Sequence, residues 1–220
     1  MKNKAFIFDM DGVLIDSERS WEEDETRLLE ELFGKDMIAK TGRTLVGGSI
    51  RDTYDRAHAL GTKVTYDEYV RRYDEAAKIV LDRAHITPGV EALAKKLTQW
   101  GFSLGLVSSS RMNWIQHVVG RLAFKDDLKI IISLHDTPGM RSKPYPDGYI
   151  EAFRTLNALP KDSVVLEDSN PGIAAGKASG AFTIGFRGNL TDGYEPLGAD
   201  AYADTMDDVI KLVDDVSFPT

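Results

Sequence analysis

Short apolar runs alternate with longer amphipathic stretches through most of this chain, and no other sequence feature constrains the fold more. The runs at 5–8, 102–107, 130–133, 164–166 and 181–186 are largely apolar along their whole length. A strand buried on both faces reads in this way, so each run predicts a strand of a parallel sheet. The stretches 89–99, 113–124, 147–156, 171–179 and 205–213 carry apolar residues at helical spacing and predict helices between the strands. Gly101 suits a left-handed stop after the first of these, and Pro171 suits a first helical turn. The expected fold class is α/β, a doubly wound, Rossmann-like parallel sheet.

The rhythm breaks after the first strand. The stretch "SERSWEEDETRLLEELFG" reads as one helix with Trp21, Leu28, Leu29, Leu32 and Phe33 inward and Gly34 at its end. Further helical patterns at 49–60 and 66–83 follow with no strand alternation, so residues 16–85 are expected to form an inserted helical domain. Residues 1–15 and 86–220 would form the α/β core. The acidic run at 22–25 is expected to be a solvated helix face.

A chain of 220 residues can bury a substantial core, and its net charge of −8 argues against nucleic acid or an anionic membrane as partner. Having no cysteine, it offers no disulfide, thiolate nucleophile or thiolate-bound metal. Lys2 and Lys4 precede only a short apolar run before Asp9, too short for a secretory signal, and no apolar run approaches a membrane span. A cytoplasmic monomer acting on a small molecule is the expectation.

Ligands of a doubly wound sheet bind beyond the carboxyl ends of its strands. There the sequence places Asp9 and Asp11 after the first strand, Ser108, Ser109 and Ser110 after the second, and Glu167 and Asp168 after the fourth. Lys143 lies in the loop after the third. Carboxylates about 4 Å apart repel by about 4 kcal/mol at an effective dielectric near 20. A hard divalent cation relieves that cost, and hydroxyls, backbone N–H groups and a lysine are phosphate ligands. Metal plus phosphate is the economical reading. The bland alternatives are a structural calcium site or a helix cap for the aspartates, and ordinary turn residues for the serines.

The same residues resemble the haloacid dehalogenase-like superfamily over nearly the whole chain. "DMDGV" is similar to its first motif, Ser108 to its second, Lys143 to its third, and Glu167 with Asp168 to its fourth, all in the family's order. The resemblance implies Asp9 as nucleophile and Asp11 as general acid and base. It implies magnesium held by Asp9, the Asp11 carbonyl and Asp168 with Glu167 in support, and a phosphoryl group held by Ser108 and Lys143. Because the dehalogenase branch lacks the second aspartate, Asp11 points to phosphate esters.

Within that superfamily, "FDMDGVLIDSERSW", "SKPYPDGY" and "LEDSNPGIAAGKASG" resemble the β-phosphoglucomutase-like subgroup with a helical cap, and within it the phosphatases of hexose and hexitol phosphates. The mutases carry a histidine where this chain has Trp21, which favours hydrolysis of a small phosphorylated sugar or polyol over the alternative, a phosphosugar mutase. The resemblance assigns selectivity to the cap, with Gly47, Ser49 and Arg51 of "VGGSIRD" and Trp21 as candidate substrate contacts. For Arg51 a surface salt bridge is the competing role. Ser110, Arg111 and Asn113 are further candidates for the distal part of the substrate, and Ser109 is a candidate substrate contact with a turn role as the competing reading. A third reading, a phosphosugar sensor without turnover, would not need both Asp9 and Asp11.

Overall fold

The computed structural model describes residues 3–41, 50–190 and 193–215, with the side chains of residues 18–20 and 22–23 left out. By internal contacts the chain divides into two units, one of Met1–Asp16 with His85–Thr220 and the other of Ser17–Ala84.

In the first unit, six strands form one parallel sheet in the order β5-β4-β1-β6-β7-β8. They are β1 (Lys4–Phe8), β4 (Phe102–Ser108), β5 (Leu128–Ser133), β6 (Val164–Glu167), β7 (Phe182–Phe186) and β8 (Ala201–Ala203). Two short strands, β2 (Ile15–Asp16) and β3 (His85–Ile86), pair antiparallel where the chain leaves and re-enters the unit. The sheet starts at its centre and grows outward on both sides, which puts the switch in strand order beside β1.

Central position explains the composition of β1. Ala5, Phe6, Ile7 and Phe8 are all fully buried, and successive side chains enter opposite faces. Ala5 and Ile7 join a cluster with Tyr149, Ala152 and Phe153 of α7 (Asp147–Thr155) and Ala175 of α8 (Asn170–Ser179). On the other face Phe6 meets Phe102 edge-on at 6.3 Å, and Phe8 meets Phe124 at 5.9 Å. Helix α5 (Val90–Gln99) packs on β4 and on α9 (Met206–Asp215).

Helix α6 covers Met112–Val119 and stops short of the expected 113–124. Gly120, Arg121 and Leu122 donate backbone bonds in tightening turns instead, while Leu122 and Phe124 stay buried. The apolar period therefore continues through a segment that is no longer helical. No strand was expected at 201–203, where β8 supplies the sheet edge.

The second unit is helical among its described residues: α1 (Glu18–Phe33), α2 (Lys35–Thr41), α3 (Ile50–Ala59) and α4 (Tyr66–Arg83). Gly34, at φ 87°, ends α1 as expected. Thr65 caps α4 by accepting from the Glu68 N–H at 3.3 Å. Its core is aromatic: Tyr69 lies 5.4 Å from Phe33, 5.6 Å from Tyr73 and 5.7 Å from Tyr54. One expectation is corrected here. The acidic run at 22–25 is not simply a solvated face, because Glu25 is 4% exposed and accepts from the Tyr73 hydroxyl at 2.6 Å. Asp24 pairs with Arg27 at 3.1 Å and Arg83 at 3.7 Å. Among the described residues, no helix is long and apolar enough to cross a membrane.

Candidate active site

The carboxyl edge of the sheet brings together residues from four strand ends. Asp9 follows β1, its N–H donating to Leu166 O of β6 at 3.0 Å. The chain then turns sharply: Met10 O accepts from Leu14 N at 2.8 Å, and Gly12 takes a positive φ of 74°. This turn needs glycine for space as well as for φ. A Cβ on Gly12 would stand 2.0 Å from Asp168 Oδ2, so the Asp168 carboxylate lies directly on the turn that carries Asp11.

Asp9, Glu167 and Asp168 are all buried, with carboxylate oxygens within 4.8 Å of one another. Lys143 reaches into them from the loop after β5, its Nζ 2.5 Å from Asp9 Oδ1 and 2.5 Å from Glu167 Oε1. Its ammonium also donates to Val107 O at 3.4 Å. Removing such groups from water is costly unless each finds partners, and Glu167 is well supplied. Its Oε1 also accepts from the Tyr149 hydroxyl at 2.7 Å, and its Oε2 accepts from Asp168 N, Ser169 N and Ser169 Oγ at 3.2, 3.2 and 3.0 Å.

Burial pushes the Asp9 carboxyl up to about 8; Lys143 opposes this, while Glu167 and Asp11 add to it. Burial lowers Lys143, but Asp9, Glu167 and Tyr149 outweigh it and hold the ammonium well above its ordinary range. With Asp9 ionised, as a metal ligand must be, three buried carboxylates stand beside one ammonium, a formal deficit of two positive charges. The donor set is all oxygen and the deficit matches a divalent cation, so the residues fit a hard divalent metal. With both Glu167 oxygens engaged by protein donors, Asp9 and Asp168 are the better placed to offer it a carboxylate oxygen.

Ser108, 1% exposed, accepts from the Ser110 N–H at 3.0 Å. Its own proton therefore remains for another acceptor. The Asp11 carboxylate accepts from Ser110 Oγ at 2.7 Å, so Ser110 lies against the second aspartate of the first motif. Ser109 and Asn113 are exposed, and Arg111 is half-buried. In the helical unit, Arg51 donates to Asp55 at 3.0 Å and stacks 4.9 Å from the Tyr66 ring centre, and Trp21 stacks on Tyr73 at 5.5 Å. Gly47 and Ser49 lie outside the described residues.

Three residues beside the site were not singled out in the sequence. Tyr149 follows Lys143 by six positions in "KPYPDGY", and its hydroxyl is spent on Glu167. Ser133 ends β5 in register with Ser108, and Asn189 donates to Gly12 O at 3.2 Å and Thr87 Oγ1 at 2.7 Å. Ser133 was legible as a polar end to an apolar run. Asn189 carried no signal, since its partners lie more than 100 residues away.

The model of the haloacid dehalogenase-like hydrolases matches residues 6–186. Hexitol phosphatase B of Escherichia coli (strain K12) is 30% identical over 179 residues, covering 80% of this chain and 79% of that protein. The phosphorylated carbohydrates phosphatase of Thermotoga maritima is 28% identical over 203 residues, covering 91% and 93%. Among solved structures, a candidate beta-phosphoglucomutase from Thermotoga maritima superposes with a TM-score of 0.74 at 27% identity, covering 96% of this chain and 99% of that one.

Proposed function

The chain belongs to the haloacid dehalogenase-like hydrolase family, and from that membership we propose that it is a magnesium-dependent phosphatase of small phosphorylated sugars or polyols. The observation that carries this reading is the buried trio Asp9, Glu167 and Asp168 with Lys143 clamped between two of them. The sugar or polyol is inferred from relatives named as phosphatases of hexitols and phosphorylated carbohydrates.

In this reading an Asp9 oxygen attacks phosphorus, the ester P–O bond breaks, and the leaving oxygen takes a proton from Asp11. The alcohol departs and an aspartyl-phosphate remains on Asp9. Asp11, now a carboxylate, takes a proton from water as that water attacks phosphorus, and the bond to Asp9 breaks to release phosphate. Ser108 Oγ–H and the Lys143 ammonium hold the phosphoryl oxygens throughout. Asp9 and Asp168, with the Asp11 carbonyl, would hold magnesium, which when bound neutralises phosphoryl charge. Glu167 keeps Lys143 and the backbone of Asp168 in place. The reading includes a cytoplasmic monomer with neither nucleic acid nor membrane as partner, in keeping with a net charge of −8. Trp21, in place of the histidine expected of a mutase, favours hydrolysis over phosphoryl return to the sugar.

The test is a panel of sugar, polyol and aryl phosphates assayed with magnesium beside Asp9→Asn. The reading expects turnover of at least one sugar or polyol phosphate and a loss of at least about a thousandfold in the variant. Silence across the panel, or a variant as active as the parent, rejects it.

A further inference from the structure

We propose that Ser110 is a positioning residue for Asp11, fixed in place by Ser133, and that this pair sets how well basic leaving groups are expelled. The inference rests on the phosphatase reading and deepens it, because it reassigns Ser110 from the distal part of the substrate to the proton-transfer group.

Ser110 is held at three atoms. Its N–H donates to Ser108 Oγ at 3.0 Å, its carbonyl accepts from Ser133 Oγ at 2.8 Å, and its hydroxyl donates to Asp11 Oδ2 at 2.7 Å. Ser133 is fully buried and is itself fixed, since its Oγ accepts from the Asp136 N–H at 3.0 Å. Asp136 in turn accepts from Met112 N at 2.6 Å, at the start of α6. The register Ser108↔Ser133 places both serines at neighbouring strand ends, so β4 and β5 together build a rigid mount for Ser110.

The mount selects one oxygen of Asp11. A hydroxyl has one proton to give, and here it goes to Oδ2. The bond fixes the direction from which the Asp11 carboxyl meets the leaving oxygen. In the first half-reaction the bond from Asp9 oxygen to phosphorus forms and the ester P–O bond breaks. The electron pair stays on the departing oxygen, which takes the proton from the Asp11 carboxyl and leaves as an alcohol. A basic alkoxide needs that proton early, whereas nitrophenolate departs almost without it. Loss of the Ser110 hydroxyl removes this restraint on the carboxylate and therefore penalises alkyl esters more than activated aryl esters.

The experiment compares kcat/KM for a turned-over sugar phosphate and for p-nitrophenyl phosphate in the wild type, Ser110→Ala, Ser110→Thr and Ser133→Ala. Ser110→Ala is expected to lose about thirtyfold on the sugar phosphate and about threefold on the aryl ester, with the loss in kcat and little change in KM. Threonine keeps the hydroxyl and should recover the sugar phosphate rate to within about threefold. Ser133→Ala should show the same bias at about fivefold, since Ser110 keeps its other two contacts. Equal losses on the two esters, a rise confined to KM, or no rescue by threonine would overturn the assignment while leaving the phosphatase reading intact. A wild type that turns over no ester at all removes both.

Discussion

Replacing Gly172 with alanine should destabilise this protein, although alanine is the better helix former. Gly172 lies in the first turn of α8, where propensity alone makes Gly→Ala favourable by about 1 kcal/mol. The added methyl would stand 1.9 Å from the Glu167 carboxyl carbon and 2.0 Å from each of its oxygens. Ordinary contact begins near 3.4 Å, so the carboxylate or the helix must retreat by about 1.5 Å. A retreat of that size takes the 2.7 Å bond from Tyr149 and the 2.5 Å contact with Lys143 out of hydrogen-bonding range. Overpacking costs about 1–3 kcal/mol and each lost bond to a buried charge about 1.5–3 kcal/mol. Partial relaxation and the helix gain offset some of this, leaving a net loss of about 3 kcal/mol, a large share of the stability of an ordinary domain. Urea unfolding, extrapolated to water at constant slope, measures it. An alanine variant as stable as the parent, or more stable, would refute the close packing of Glu167 against α8.

Three further outcomes follow from the same contacts. Asp9 binds its proton more tightly in the folded state, with a pKa of about 8 against an ordinary 3.8, so between those values the folded chain holds more protons than the unfolded one. Its contribution to stability therefore falls as pH rises through that window, and in chelator Asp9→Asn should gain on the wild type from about pH 4 to pH 8. Saturating magnesium should abolish the gain, and a pH-independent difference in melting temperature would contradict this. Tyr73→Phe removes the hydroxyl that donates to buried Glu25 and should cost about 1.5–3 kcal/mol by chemical denaturation. Asn189→Ala leaves Gly12 O and Thr87 Oγ1 without their donor; it should lower stability by about 2 kcal/mol and reduce activity, read by parallel melting and ester assays.

The strands that carry the site could be read in advance because each is a largely apolar run ending in chemistry-bearing residues: Asp9 after β1, Ser108 at the end of β4, Glu167 at the end of β6. Burial on both faces writes such strands into composition. What escaped detection depends on partners far along the chain. Glu25 reads as one more surface acid until Tyr73, 48 residues on, supplies its donor. Ser110 reads as a substrate contact until Asp11, 99 residues away, accepts its hydroxyl's hydrogen bond. Helix α6 was expected to be too long because Leu122 and Phe124 keep an apolar period in a segment that has left the helix. Strand β8 is only three residues long, too short for any period to register.

The central claim is that Asp9 becomes covalently phosphorylated during turnover. Acid quench of the enzyme mixed with substrate and magnesium, followed by peptide mass spectrometry, reads this directly. The account predicts one phosphoryl group on the peptide carrying Asp9, absent from Asp9→Asn. Phosphate release with no phosphoryl group trapped there, or with the group on another residue, would contradict it.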